Sequence, residues 1–204
     1  MNVMNTALYS GARCTLIPKY DDRGIWDILL DEEDGVDLTL FMAVPAIYNR
    51  LIAHYENQNM HERSAEIEQK LKKIRLMVSG SAALPEKSFL KWREITGQTL
   101  LERFGMTEIG MALTQPYEPV EDRRPRFVGA PFPGVEAAIM DNDTREVHQD
   151  RGREGELLIR SPSMFSRYLN RPEATEASFA EDASGKKWFL TGDYAVQDEE
   201  HGQY

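Results

Sequence analysis

A chain of 204 residues with 24 Lys and Arg against 34 Asp and Glu carries a formal net charge of -10. That balance excludes a sequence-independent nucleic-acid binder, whose cations must outnumber its acids to neutralise phosphates. Hydrophobic residues at 41% with 28% charged set aside collagen-like and wholly disordered chains. The single cysteine, Cys14, forms no internal disulfide and no clustered-cysteine zinc site.

No run approaches the ~20 apolar residues of a membrane span. Met1 to Asn5 has neither a cationic flank before an apolar run nor an Arg-rich leader pattern. Leu38 to Val44 is nearly continuous in apolar residues, the pattern of a strand covered on both faces in a parallel sheet. Pro45 then opens a helix in which Ile47, Leu51 and Tyr55 recur every four residues. The polar and charged stretch Asn57 to Lys73 reads as a solvated helix over Glu62 to Lys73 or as a helix extension with an exposed face. Ile74 to Val78 is a second apolar strand, followed by the small-residue loop Ser79 to Leu84. A helix from Pro85 carries Phe89 and Trp92 and stops at Gly97, a usual C-terminal cap. Thr99 to Phe104 forms a third strand, ended by Gly105. Strand and helix alternating at this spacing predict right-handed crossovers and a parallel α/β sheet.

Beyond Tyr117 the texture changes. Pro116, Pro119, Pro125, Pro131 and Pro133, with Arg123, Arg124 and Arg126, mark a long loop. Short strands follow at Val135 to Met140, Gly155 to Arg160, Trp188 to Leu190 and Tyr194 to Val196, and turn residues stand at Asp141 to Asp143 and Asp150 to Gly152. The expected organisation is an α/β subdomain over 1–130 and a mostly antiparallel β subdomain over 131–204, divided near Gly129 to Gly134.

Open α/β sheets bind ligands beyond the carboxyl ends of their strands, and two loops leave such ends, Ser79–Leu84 and Gly105–Gly110. If their strands are neighbours, the loops converge on one crevice. Each is followed by, or contains, a possible helix start that favours an anion. The first loop lets a flat group approach its backbone closely; it is equally a tight turn needing Gly. In the segment Glu102 to Glu108, Phe104 could stack a base, Thr107 could bond a phosphate and Glu108 could hold a hard divalent cation. The structural alternative makes Phe104 core, Thr107 a helix N-cap and Glu108 a first-turn acid. Asp193 in Thr191-Gly192-Asp193 could accept two hydrogen bonds from vicinal hydroxyls, or serve as a turn residue.

Taken in order, Ser79-Gly80-Ser81-Ala82-Ala83-Leu84-Pro85, Phe104-Gly105-Met106-Thr107-Glu108 and Thr191-Gly192-Asp193 resemble the marks of the AMP-forming acyl-CoA synthetases, an adenylate-forming family. Gly155 to Pro162 (GELLIRSP) looks like the family's GEL strand, and Tyr168 to Thr175 (YLNRPEAT) like its YxNxPExT segment. Within the family, IRLMVSGSAALP with LLERFGMTEIGMAL is most similar to malonyl-CoA and methylmalonyl-CoA synthetases, particularly those of the mitochondrial acyl-CoA synthetase type.

The resemblance implies a two-step ligase. A carboxylate attacks the α-phosphate of Mg·ATP to give an acyl-adenylate and pyrophosphate, and the thiol of coenzyme A then displaces AMP. By position, Ser81, Ala82 and Ala83 line the adenine pocket and Glu102 and Arg103 border it. Phe104 lies against the ring, and Gly105 and Met106 complete this nucleotide-binding segment. Thr107 touches the α-phosphate, Glu108 binds Mg²⁺ and Asp193 grips the ribose. The family's usual aromatic at Phe104 is Tyr, so the stacking face is kept and the hydroxyl lost. A dicarboxylic acid such as malonate needs a cation for its distal carboxylate. Arg103 is the candidate, with pairing to Glu102 or another nearby carboxylate as the alternative.

The family's TSGTTGxPK-type phosphate loop, the segment carrying a ribose-binding Arg after the third motif, and the small domain with its catalytic Lys are not found in this sequence. By resemblance, then, the piece corresponds to the second half of the large N-terminal domain, and alone it is expected to lack ligase activity, since electrostatic stabilisation at phosphorus is typically the largest catalytic term. A mitochondrial location follows from the resemblance only, with the cytoplasm as alternative. A synthetase for another acid and a non-catalytic adenine-nucleotide-binding or interaction module remain open.

Overall fold

The computed structural model describes residues 2–31 and 37–204; of the residues read above, Met1 lies outside them. The chain divides into two compact units, Met1–Leu100 and Leu101–Tyr204. Together they form a mixed α/β fold, with parallel strands in the first unit and antiparallel ones in the second.

In the first unit α1 is Asn2–Tyr9 and α2 is Asp22–Leu29, β1 is Leu40–Ala43, α3 is Pro45–Asn57, α4 is Ser64–Leu71, β2 is Leu76–Gly80 and α5 is Glu86–Thr96. Asp21 caps α2 by accepting from the Gly24 N–H at 2.8 Å, and Gly97, at φ +68°, ends α5 in the left-handed conformation that a Cβ would oppose. β1 and β2 run parallel, Leu40 opposite Leu76 and Ala43 opposite Ser79. The helices bury Trp26, Tyr48, Leu51, Phe89 and Trp92 in one core with Met77. Two of its fully buried donors are paired, as low dielectric demands: Trp26 Nε1 donates to the Leu51 carbonyl at 3.1 Å, and the Tyr48 hydroxyl to the Val78 carbonyl at 2.9 Å.

The expected solvated helix over Glu62 to Lys73 is shorter and seated on one side. A 3-10 turn over Met60–Arg63 precedes α4, whose Ile67 and Leu71 are fully buried. The rest of the helix stays largely in water, with Ser64, Ala65, Glu66, Glu68 and Gln69 exposed, and Glu66 pairs with Arg63 and Lys70. Two apolar residues four apart are enough to seat such a helix.

In the second unit β3 is Leu101–Met106, β4 Gly110–Thr114, β5 Ala130–Pro131, β6 Glu136–Met140, β7 Val147–His148, β8 Glu154–Arg160, α6 Pro172–Ala177, β9 Phe179–Glu181 and β10 Lys187–Val196. β3, β4 and β5 are joined antiparallel. The others form an antiparallel sheet in the order β7-β6-β8-β10-β9. Its central strands are covered on both faces: Leu157 and Ile159 face one cluster with Ile139 and Phe189, while Leu158 faces another with Met140 and Trp188.

Two expectations are corrected here. Residues 188–196 are not two strands but one, broken by a register shift between Leu190 and Tyr194. Gly192 sits at φ +75° within it, and such a conformation bulges a strand without ending it. Second, the segment after Gly105 enters no helix. It turns at once into β4, so Thr107 is not an N-cap and Glu108 not a first-turn acid.

Candidate functional site

The β3–β4 hairpin carries Glu102 through Glu108. It can be this tight because the register slips between Phe104 and Gly105, where the two backbones approach closely, and because Gly110 accepts φ +72° at the start of β4. Below the turn, Gln115 ties the hairpin to the following loop. Its Oε1 accepts from the Glu102 N–H at 3.0 Å, and its amide donates to the carbonyls of Arg124 and Phe127. This buried Gln is a structural residue that the sequence reading missed, because nothing in its local pattern marks it.

Along β3 the side chains meet different surroundings. Glu102 is buried. Arg103 is half-buried, and its Nε is fully enclosed with no hydrogen-bond partner. Burial pulls its guanidinium below the usual value, with no neighbouring charge contributing. No ion pair joins it to Glu102 or to any other carboxylate among the described residues, so the expected pairing alternative is absent. Phe104 stands opposite Leu113 and packs half-buried at the margin of the Leu157–Phe189 cluster. Met106 packs there as well.

At the turn Thr107 is exposed. Glu108 is partly enclosed: its Oε1 accepts from the Tyr168 hydroxyl at 3.0 Å and its carbonyl from the Phe165 N–H at 2.7 Å. Burial, followed by the bond to Glu108 and its charge, raises the Tyr168 phenol above its ordinary value, so it remains protonated as a donor at neutral pH. Tyr168 stood in the sequence as the first residue of YLNRPEAT, but only the fold links it to Glu108.

Asp193 lies on the β10 bulge, in a different sheet from the hairpin. Thr191 shapes that bulge: its hydroxyl donates to the Leu157 carbonyl at 2.7 Å and accepts from the Asp193 N–H at 3.1 Å. The Gly192 N–H donates to Glu156 Oε1 at 3.0 Å, leaving the Asp193 side chain exposed. In the first unit, Ser81, Ala82 and Ala83 are exposed immediately after β2. Ser81 holds φ +69°, a conformation that costs a non-glycine residue about 1–2 kcal/mol and often accompanies function. Ser79, just before, is buried with its hydroxyl unpartnered.

The donor set at Glu108 suits a hard cation. Mg²⁺ takes one or two protein carboxylates and completes its shell with phosphate oxygens and water. Glu108 offers one such group, with Oε1 taken by Tyr168. Among the described residues no cluster of three or more His, Cys, Asp or Glu forms a metal site made of protein alone. No helix among them is long and apolar enough to cross a membrane.

The chain belongs to the AMP-binding enzyme family, whose family model matches residues 1–169. It is 41% identical to the mitochondrial malonate–CoA ligase ACSF3 of Homo sapiens, over 100% of this chain and 38% of that protein. The ATP-bound crystal structure of MatB from Rhodopseudomonas palustris superimposes with a TM-score of 0.80 at 31% identity, covering 99% of this chain and 36% of the other. A malonyl-CoA ligase with methylmalonyl-CoA and AMP bound superimposes at 0.71 and 34% identity, covering 95% and 37%. The chain thus spans little more than a third of the length of the curated relatives it matches.

Proposed function

We propose that this chain carries the adenine-nucleotide and acid-binding segments of an ATP-dependent acid–thiol ligase acting on malonate or methylmalonate, in the mitochondrion as the name of the human relative suggests. The observation that carries the reading is Arg103, a half-buried guanidinium with an enclosed, unpartnered Nε and no carboxylate paired with it among the described residues. A buried cation without a counter-charge is costly, and a dianionic substrate would supply one. One carboxylate of the acid would react while Arg103 holds the other, by charge-assisted bonds that an acetate-like acid cannot make.

The remaining residues divide the nucleotide among them. In the second unit Phe104 presents a ring face to the adenine, with Glu102, Gly105 and Met106 shaping the strand beside it; in the first, the resemblance assigns the small, exposed Ser81, Ala82 and Ala83 to adenine. The Thr107 hydroxyl is exposed for the α-phosphate. Asp193, on its bulge, accepts from the ribose hydroxyls. Glu108 would hold Mg²⁺, which when bound neutralises phosphate charge. The acid's carboxylate oxygen displaces pyrophosphate from the α-phosphorus, and the thiol of coenzyme A then attacks the acyl carbonyl and expels AMP.

Calorimetry with non-hydrolysable malonyl- and acetyl-adenylate analogues tests this. The malonyl analogue is expected to bind at least tenfold more tightly, about 1.4 kcal/mol, and Arg103→Met to abolish that preference while retaining the acetyl analogue. Equal affinities in the unmutated chain would instead indicate a synthetase for another acid. No binding of either analogue would sink the nucleotide reading.

A further inference from the structure

The turn carrying Thr107 and Glu108 is gripped by one stretch of chain at three successive points. Ser163 Oγ donates to the Ile109 carbonyl at 2.9 Å, the Phe165 N–H to the Glu108 carbonyl at 2.7 Å and the Tyr168 hydroxyl to Glu108 Oε1 at 3.0 Å. The first two bonds fix backbone; the third fixes a carboxylate. Tyr168 is itself held in place. Its N–H donates to Thr175 Oγ1 at 3.0 Å, and that hydroxyl donates to the Arg171 carbonyl at 2.8 Å. Its ring centroid lies 4.6 Å from that of Phe165, which in turn packs at 5.7 and 5.6 Å on Phe179 and Phe189. A hydroxyl so anchored has little rotamer freedom left to lose when it bonds a carboxylate.

We infer that Tyr168 is a positioning residue for Glu108: it occupies Oε1 and leaves Oε2 as the carboxylate's donor for the nucleotide's cation. The inference rests on the reading of Glu108 given above. It also gives a physical meaning to the ends of the Tyr168–Thr175 segment, because the hydroxyl of the last residue pins the backbone of the first.

Two measurements on the full chain test it. In a double-mutant cycle of Tyr168→Phe and Glu108→Ala, read by urea unfolding, the pair is expected to couple by about tenfold in the unfolding constant, as for hydrogen bonds to charged groups; additive effects would overturn the inference. In electron paramagnetic resonance titrations of Mn²⁺ in the presence of ATP, Tyr168→Phe is expected to weaken Mn²⁺ uptake about tenfold. Thr175→Val, which keeps the phenol but removes the anchor of the Tyr168 backbone, should weaken it less. If Glu108→Ala weakens uptake and Tyr168→Phe does not, the positioning role fails and the metal reading stands. If Glu108→Ala has no effect, or the unmutated chain takes up no Mn²⁺, the metal reading fails and the cycle alone decides whether Tyr168 holds the carboxylate.

Discussion

A Cβ at position 105 would lie 2.3 Å from the Gly110 carbonyl oxygen and 2.9 Å from Met111 Cα. Both are backbone atoms of the opposing strand and cannot swing aside as a side-chain tip could. Gly105→Ala therefore has to push β3 and β4 apart at the point where Thr107 and Glu108 are presented. The expected cost is about 2 kcal/mol, within the range for overpacking, seen as a lower urea midpoint with unchanged slope, together with weaker Mn²⁺ uptake in the presence of ATP. Arg103 illustrates the limit of reading residues without coordinates. Its type and position suggested a substrate cation, but whether a neighbouring acid neutralised it depended on burial and on side chains distant in sequence. The Tyr168–Glu108 bond joins residues 60 positions apart, and no local pattern encodes such a pairing.

Among the elements, β1 and β2 were legible as apolar runs, α3 by its four-residue repeat after Pro45, α5 by Phe89 and Trp92 between Pro85 and Gly97, and β6 and β8 as short strands, whereas α1, α2 and α6 were not read. Nor were the short elements. β5 and β7 have two residues each and β9 three, too few to show any alternation, and their pairing is decided by the neighbouring strand. Gly-Met-Thr-Glu suits a helix start as well as a hairpin turn, and the close approach at Gly105 selects the hairpin. The β10 bulge is the same lesson in a longer strand. Thr191 holds it through one bond given and one received. Thr191→Val keeps the shape, removes both bonds and is expected to cost about 1 kcal/mol. Because Asp193 depends on the bulge for its presentation, the same variant should also weaken AMP binding in calorimetry. Unchanged AMP affinity would detach Asp193 from the ribose role.

Across the whole molecule, carboxylates are held in their charged form by specific donors in both units, despite the net charge of -10. In the first, the Arg63 and Lys70 side chains hold Glu66 down at about 2. In the second, the His201 backbone N–H, then Arg124, hold Asp198 at about 2. Asp141 is lowered by the backbone N–H groups of Thr144 and Asp143. A carboxylate with a depressed folded-state value stabilises the fold above its unfolded value, near 4, and that contribution disappears as pH falls through the folded value. The alkaline limb has the opposite sign. Burial pushes the Tyr204 phenol up to about 12, so its neutral form favours folding below pH ~10, and the benefit is lost between there and about 12. The urea midpoint is accordingly expected to be flat near neutrality, to fall from pH ~4 toward 2 and to fall again from ~10 toward 12. Asp198→Asn should lower the neutral plateau and make the acid limb shallower, because that position no longer takes up a proton on unfolding. An acid limb of unchanged steepness in this variant would mean that the Arg124–Asp198 link, 2.9 Å in length, contributes nothing to the acid sensitivity of the fold.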